Sequence, residues 1–197
     1  PAMSERFAKN AGAMARGSAD RLVSSVLALG SAAQHGADWQ SSLDRLRTHL
    51  RHLVEQAVPG LSDHQQKQLQ LATQQQLQAL ADYAKGIALL RHCPDPVQAR
   101  MLGTGEQFSV ALMTALLKAR GLDAGSLDST RVVRSQGDYL NAGADLPATR
   151  AAFAAAKAQG MPRIAVMAGF ISGLANDEPA LLGRNGSDYS AAIACLG

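Results

Sequence analysis

The sequence predicts an α/β protein whose N-terminal half is nearly all helix, and three observations carry that expectation. Apolar residues recur at helical spacing through residues 19–91, the period changes after Gly121, and an alanine-rich segment at 147–159 leads directly into the apolar run RIAVMAGF at 163–170. Helix, strand, loop and helix in that order is an α/β pattern. With 197 residues, 47% hydrophobic and 18% charged, the chain has enough apolar material for one sizeable core or two small ones, and its composition is not that of a disordered segment. No internal repeat and no flexible linker divides it. It reads as one domain or a piece of one, with 1–92 a mainly helical layer and 93–197 an α/β part.

The elements follow in order. Residues 19–35 carry Leu22, Val23, Val26, Leu27 and Leu29 around one face of a helix that ends near Gly36. From Asp38 to Val58 the series Leu43, Leu46, Leu50, Leu53, Val54 and Ala57 makes an amphipathic helix, closed by Pro59-Gly60. Ser62 with Gln65 forms a capping-box signature, opening a helix to about Arg91 with Leu69, Leu77, Leu80, Ala84 and Ile87 on one side. The stretch QQKQLQLATQQQLQ within it reads as a low-complexity interaction tract or as a solvated helix face, since glutamine is a good helix former and the leucines keep helical spacing.

Pro94 and Pro96 then interrupt the chain. In GTGEQFSVALMTALLKARGL the glycines predict a turn, Thr104 with Gln107 a second capping box, and the helix should run through Ala119 to a stop at Gly121. Segment 122–128 and the short TRVVRS read as strands, and 163–170 reads as a buried strand ahead of a glycine loop.

Several function classes are excluded or left without support. A formal charge of +3 and 4% aromatic residues provide neither a basic stripe nor stacking platforms for nucleic acid. There is no run of eighteen apolar residues for a membrane span, and PAMSERFAKN lacks the regions of a signal peptide, so a cytoplasmic location is expected. Cys93 and Cys195 show no metal or redox spacing and are read as reduced. His49 and His52 share a helix face, but with no acidic or Cys partner at suitable spacing they are read as surface histidines, and no metal site is expected.

Three segments place glycine and polar side chains at the ends of regular elements. In GTGEQFS, Glu106 falls in the first turn of the expected helix, where the dipole stabilises a carboxylate; a ligand contact and a plain helix-start residue both account for it. In MAGFIS, Gly169 and Phe170 follow a strand, where ligands of α/β folds gather, although a phenylalanine there also serves as core. In LLGRNGSDYSA, Arg184 offers a planar fork for a carboxylate or phosphate, Gly186 permits close backbone approach, and the N–H groups of residues 187–189 would face an anion from a helix start. Asn185-Gly186 also fits a hairpin turn.

Taken together, GTGEQFS, AVMAGFIS and LLGRNGSDYSAA, in this order and separated by a helix and strands, resemble the aspartokinase branch of the amino acid kinase family. The likeness is closest to the aspartokinase part of the bifunctional aspartokinase/homoserine dehydrogenases, whose Asn-containing GRNGSDYSA loop and LL..CPD approach the chain shares. It covers residues 83–196; earlier it rests on the helical layout, on SERF and on the approximate AMARGSADRLV.

The resemblance implies a three-layer α/β sandwich, present here in part, with 93–197 as its substrate-binding portion. It implies an enzyme of the aspartate pathway to threonine, methionine and lysine that transfers the ATP γ-phosphoryl group to the β-carboxylate of L-aspartate, with magnesium on the phosphates. By resemblance Glu106 lies near the substrate α-amino group, Arg184 on its side-chain carboxylate, and Phe170 along the pocket. Ser187 sits by the reacting carboxylate, and Asp188 acts catalytically by orienting the basic group that meets the phosphates. A homo-oligomeric parent enzyme is also implied. The family's opening strand and glycine turn, reading like KFGGTS, has no counterpart after Pro1, and the family's nucleotide-binding strand and regulatory domain have none after Gly197. Where the family has threonine followed by Asn, this chain has Ala19 and Asp20. The expectation is therefore an incomplete aspartokinase portion that binds nucleotide poorly alone, or else a catalytically inactive amino-acid-binding or partner-binding remnant of the fold; a kinase of the same fold acting on another acid, such as glutamate, is a third reading. No residue of the chain is assigned to ATP.

Overall fold

A computed structural model of the chain describes residues 21–183 and 186–195, with Val58 by its backbone alone. Arg184, Asn185, Ala19, Asp20 and the SERF stretch lie outside the described residues.

The helical half forms because each helix has a leucine stripe and a defined end. Helix α1 (21–35) stops where Gly36 takes a left-handed φ of 70°. Helix α2 (Trp39–Ala57) buries Leu43, Leu46, Leu50, Leu53, Val54 and Ala57, and a 3-10 turn over Val58–Gly60 follows it. Helix α3 (Asp63–Leu90) opens on the expected capping box: Ser62 Oγ accepts from the Gln65 N–H and Gln65 Oε1 accepts from the Ser62 N–H at 2.9 Å. Its glutamines face largely outward while Leu69, Leu77, Leu80, Ala84 and Ile87 are buried. These three helices and the next, α4 (Asp95–Ala119), share one core in which Leu22, Leu29, Leu46, Leu80 and Ile87 are almost wholly removed from water.

The first correction concerns α4, which spans Asp95–Ala119 with Pro94 as N-cap and Pro96 in its first turn. Gly103 and Gly105 therefore make no turn, and Thr104 caps nothing: its hydroxyl donates to the Arg100 carbonyl inside the helix at 3.1 Å. Proline is well suited to a first helical turn, so this pair begins the helix rather than merely breaking the chain. The glycines are needed for packing. A β-carbon built at Gly103 would lie 3.1 Å from Ile171 Cδ1, and one at Gly105 would lie 3.1 Å from Leu22 Cβ.

The remaining elements are short. Strand β1 (Ala124–Leu127) is followed by helix α5 (Ser129–Val132), strands β2 (Ser135–Asp138) and β3 (Asn141–Ala144), and helix α6 (Leu146–Ala158). Strands β4 (Ile164–Met167), β5 (Ile171–Gly173) and β6 (Pro179–Leu181) and helix α7 (Gly186–Ala194) complete the order. β1 and β4 run parallel with Ala124 opposite Ile164 and Leu127 opposite Met167, while β2–β3 and β5–β6 are antiparallel hairpins. The hairpins are tied together by the Leu181 N–H donating to the Tyr139 carbonyl at 2.8 Å and the Gly173 N–H donating to the Val133 carbonyl at 2.9 Å. A second, smaller core gathers Val132, Val133, Phe153, Leu182 and Ile193 from α5, α6, α7 and the segments beside them.

Two more expectations are corrected here. Most of TRVVRS is helix and its exit, with only Ser135 in a strand, because the Asp128 carboxylate accepts from the Thr130 N–H at 3.0 Å and caps a single turn. The strand in RIAVMAGF is confined to Ile164–Met167 and is not buried: Ile164 is 36% exposed and the other three are intermediate. An apolar run fixes the preference for extended backbone, but how much covers it depends on distant parts of the chain.

Candidate functional site

The carboxyl end of β4 meets the amino end of α7, and local chemistry explains the meeting. Phe170 holds a left-handed φ of 68°, which a bulky residue adopts only when its surroundings enforce it. The Phe170 N–H donates to Ser190 Oγ at 2.9 Å, and the Ser190 hydroxyl donates to the Gly186 carbonyl at 2.6 Å. The Phe170 carbonyl accepts from the Leu182 N–H at 2.9 Å. One buried serine on α7 thus clamps both the loop after β4 and the first turn of its own helix.

Glycine is required on both sides of this clamp. A β-carbon at Gly169 would stand 3.0 Å from Cα, Cβ and Oγ of Ser187, and one at Gly186 would stand 2.6 Å from Phe170 Cδ2. Gly186 lies at the described start of α7, while Asn185, the other half of the alternative hairpin reading, lies outside the described residues. Ser187 and Asp188 are exposed in the first turn of α7, where free N–H groups favour negative charge; Asp188 itself takes part of that stabilisation. Phe170 is half-buried and packs against the larger core.

Glu106 is half-buried on α4, directly after Gly105, which lies against Leu22, and in the same turn as Gly103, which lies against Ile171. Because Ile171 follows Phe170 directly, the structure sets the Glu106 turn beside the start of β5. It brings Phe170 and Ser187 together through the glycine contacts, leaves Asp188 on the exposed side of α7, and does not describe Arg184. The sequence reading missed Ser190. Its signal was the i, i+4 spacing from Gly186 in GSDYS, which lets a serine hydroxyl reach the carbonyl one turn back.

Other candidates are structural. His52 Nδ1 lies 3.6 Å from a Glu55 carboxylate oxygen, and partial burial, with Arg21 and His52 nearby, lowers the pKa of His49. Among the described residues no group of three His, Cys, Asp or Glu side chains is placed to hold a metal ion. Cys93 and Cys195 are free thiols; burial, then the Asp95 charge, pushes the Cys93 thiol up, opposite to the direction of a reactive cysteine. Among the described residues no helix is long and apolar enough to cross a membrane.

Comparison with known proteins gives a consistent pattern. The amino acid kinase family matches residues 9–195. A bifunctional aspartokinase/homoserine dehydrogenase of Buchnera aphidicola is 32% identical over 142 residues, 68% of this chain and 17% of that protein. Bifunctional aspartokinase/homoserine dehydrogenase 2 of Escherichia coli is 31% identical over 196 residues, 94% of this chain and 23% of that protein. The chain thus spans less than a quarter of either relative. Aspartokinase III of E. coli in complex with lysine and aspartate superposes with a TM-score of 0.76 at 22% identity, over 87% of this chain and 37% of that one, which shows the fold.

Proposed function

The chain belongs to the amino acid kinase family, and from that premise we propose that it carries the aspartate-binding portion of an aspartokinase. The reaction is ATP-dependent phosphorylation of the L-aspartate β-carboxylate, in the route to threonine, methionine and lysine. The observation that carries the reading is the interlock of Gly169-Phe170 with Gly186-Ser187 at the carboxyl end of a parallel strand, where α/β proteins bind ligands.

In this reading Glu106 accepts from the substrate α-ammonium group, Arg184 engages the side-chain carboxylate with its planar fork, and Phe170 closes the pocket wall. A β-carboxylate oxygen attacks the γ-phosphorus of ATP, the bond to the bridging oxygen of ADP breaks, and aspartyl phosphate leaves. Catalysis of such a transfer is mainly positioning and charge stabilisation. The chain's contribution is to hold the nucleophile: Ser187 donates beside the reacting carboxylate, and Asp188 orients the basic group that meets the phosphates. Magnesium in this chemistry is carried on the nucleotide phosphates. Around the start of α7 the described residues offer a single carboxylate, that of Asp188, beside the neutral hydroxyl of Ser187, too little to hold the ion unaided. A cytoplasmic, homo-oligomeric enzyme completes the proposal.

Titration calorimetry of the purified chain with L-aspartate, beside Arg184→Ala, tests it. Saturable binding that weakens by about tenfold or more in the variant is expected, the loss of one charge-assisted bidentate contact. Absence of binding by a sample with native circular dichroism would overturn it.

A further inference from the structure

A cavity of about 480 Å³ lies between α3, α4 and the ends of β1 and β4, and none of the residues assigned to aspartate lines it. Its floor is one face of α4. Gln107, Ala111, Thr114 and Lys118 follow each other at four-, three- and four-residue steps, so all point to one side of the helix. Alanine at 111 and 115 leaves room that larger side chains would fill. Across from this floor α3 contributes Leu69 and Ala72 together with Gln65 and Gln68, the junction of β1 and α5 adds Ser126 and Asp128, and Ala168 and Ile171 complete the apolar part of the lining.

Two observations point to a ligand. Thr114 is only 8% exposed, its hydroxyl oxygen is buried, and it has no hydrogen-bond partner among the described residues. A hydroxyl stranded in this way destabilises the fold unless something supplies the partner. One turn on, Lys118 brings an ammonium group to the same face, and no described residue forms an ion pair with it. The nearby Asp128 carboxylate is already engaged, accepting from the Thr130 N–H at 3.0 Å and the Thr130 hydroxyl at 2.7 Å.

We infer that this cavity binds a small carboxylate with an aliphatic body. The carboxylate accepts from the Lys118 ammonium group and the Thr114 hydroxyl, the Gln107 carboxamide reaches the same end, and the aliphatic chain lies along Leu69 and Ile171. A single lysine with one hydroxyl suits one carboxylate, and the apolar side chains of Leu69, Ala72, Ala111 and Ile171, with the Asp128 charge at the rim, disfavour a naked phosphate. The site is separate from the proposed aspartate pocket but shares its framework, since Ile171 closes the cavity, touches the Gly103 turn of α4 and follows Phe170.

The test is calorimetric titration with butyrate, hexanoate and octanoate, with inorganic phosphate as the contrasting anion. Saturable hexanoate binding is expected, weakened about tenfold or more in Lys118→Gln and retained in Arg184→Ala, so its outcome is independent of the aspartate reading. Thr114→Val gives the second readout: weaker hexanoate binding together with a ligand-free Tm higher by about 2–4 °C, because the stranded hydroxyl is gone. Absence of saturable binding by folded wild-type chain overturns the inference, as does unchanged affinity in Lys118→Gln or phosphate binding as tightly as hexanoate.

Discussion

The helical half and the α/β half of this chain are stabilised in different ways. In α1 to α4, long stripes of leucine interlock in one core, so each helix contributes several residues that are almost fully buried. Beyond α4, strands of three or four residues pair in twos, their small core holds five buried residues, and polar contacts fasten the loops. Arg134 ties the turn between β5 and β6 to α5, pairing with Asp177 at 2.7 Å and the Leu174 carbonyl at 2.6 Å. On its other side, Glu178 accepts from Arg100 at 3.1 Å, from Asn176 at 3.0 Å and from the Tyr139 hydroxyl. Long amphipathic helices can bury area with little help from elsewhere, whereas short strands depend on what is brought to them.

Substitution in the two halves gives the most direct test of this contrast. Leu80→Ala should cost about 2–5 kcal/mol in urea unfolding, because its side chain leaves a cavity among helices that cannot close over it. Ile164→Ala, on a strand residue 36% exposed, should cost no more than about 1.5 kcal/mol. Equal losses would mean that the two halves do not differ in this way.

Gly173→Ala probes how tightly the short elements are docked. A β-carbon there would sit 1.9 Å from the Thr130 carbonyl oxygen, so α5 and β5 must separate. A loss of about 1–3 kcal/mol is expected, with faster amide exchange confined to α5, β5 and β6. Uniformly faster exchange through α3 as well would join the two halves into one cooperative unit.

The smallest effect should come from acid. The Tyr139 hydroxyl, and after it Asn176, holds the Glu178 carboxyl below its usual 4.5. The unfolded chain therefore takes up this proton at higher pH than the folded one, so the clasp contributes fully above 4.5 and is lost as pH falls through the folded value. Exchange at 174–181 should accelerate on acidification before that of α2 and α3, and Glu178→Gln should remove this dependence. An acid response that begins in the helices would contradict the assignment.

Much of the architecture could be read from the residues alone. Helix boundaries at Gly36, Ser62, Arg91 and Ala158 agree with the sequence expectations to within a residue or two, because caps, prolines and leucine spacing are local properties of the chain. The three glycine-containing motifs that mark the family were legible for the same reason. What was misread depends on contacts made across the chain. The glycines of GTGEQFS look like a turn until Ile171 and Leu22 are seen pressed against them.

The same limit applies to the candidate site. Family resemblance assigned Phe170 and Ser187 to it, yet no local pattern foretold that Ser190 would hold Phe170 in a left-handed conformation 20 residues away. Nor could spacing alone show that Thr114 would be buried with no partner among the described residues, because satisfaction of a hydroxyl depends on every neighbour that packing brings near it. The sequence by itself determined the helices, the capping signals and the family motifs. Only the tertiary structure decided which glycines serve packing, how far β4 is covered, and where a buried polar atom is left waiting, since these arise from the close packing of segments far apart in the chain.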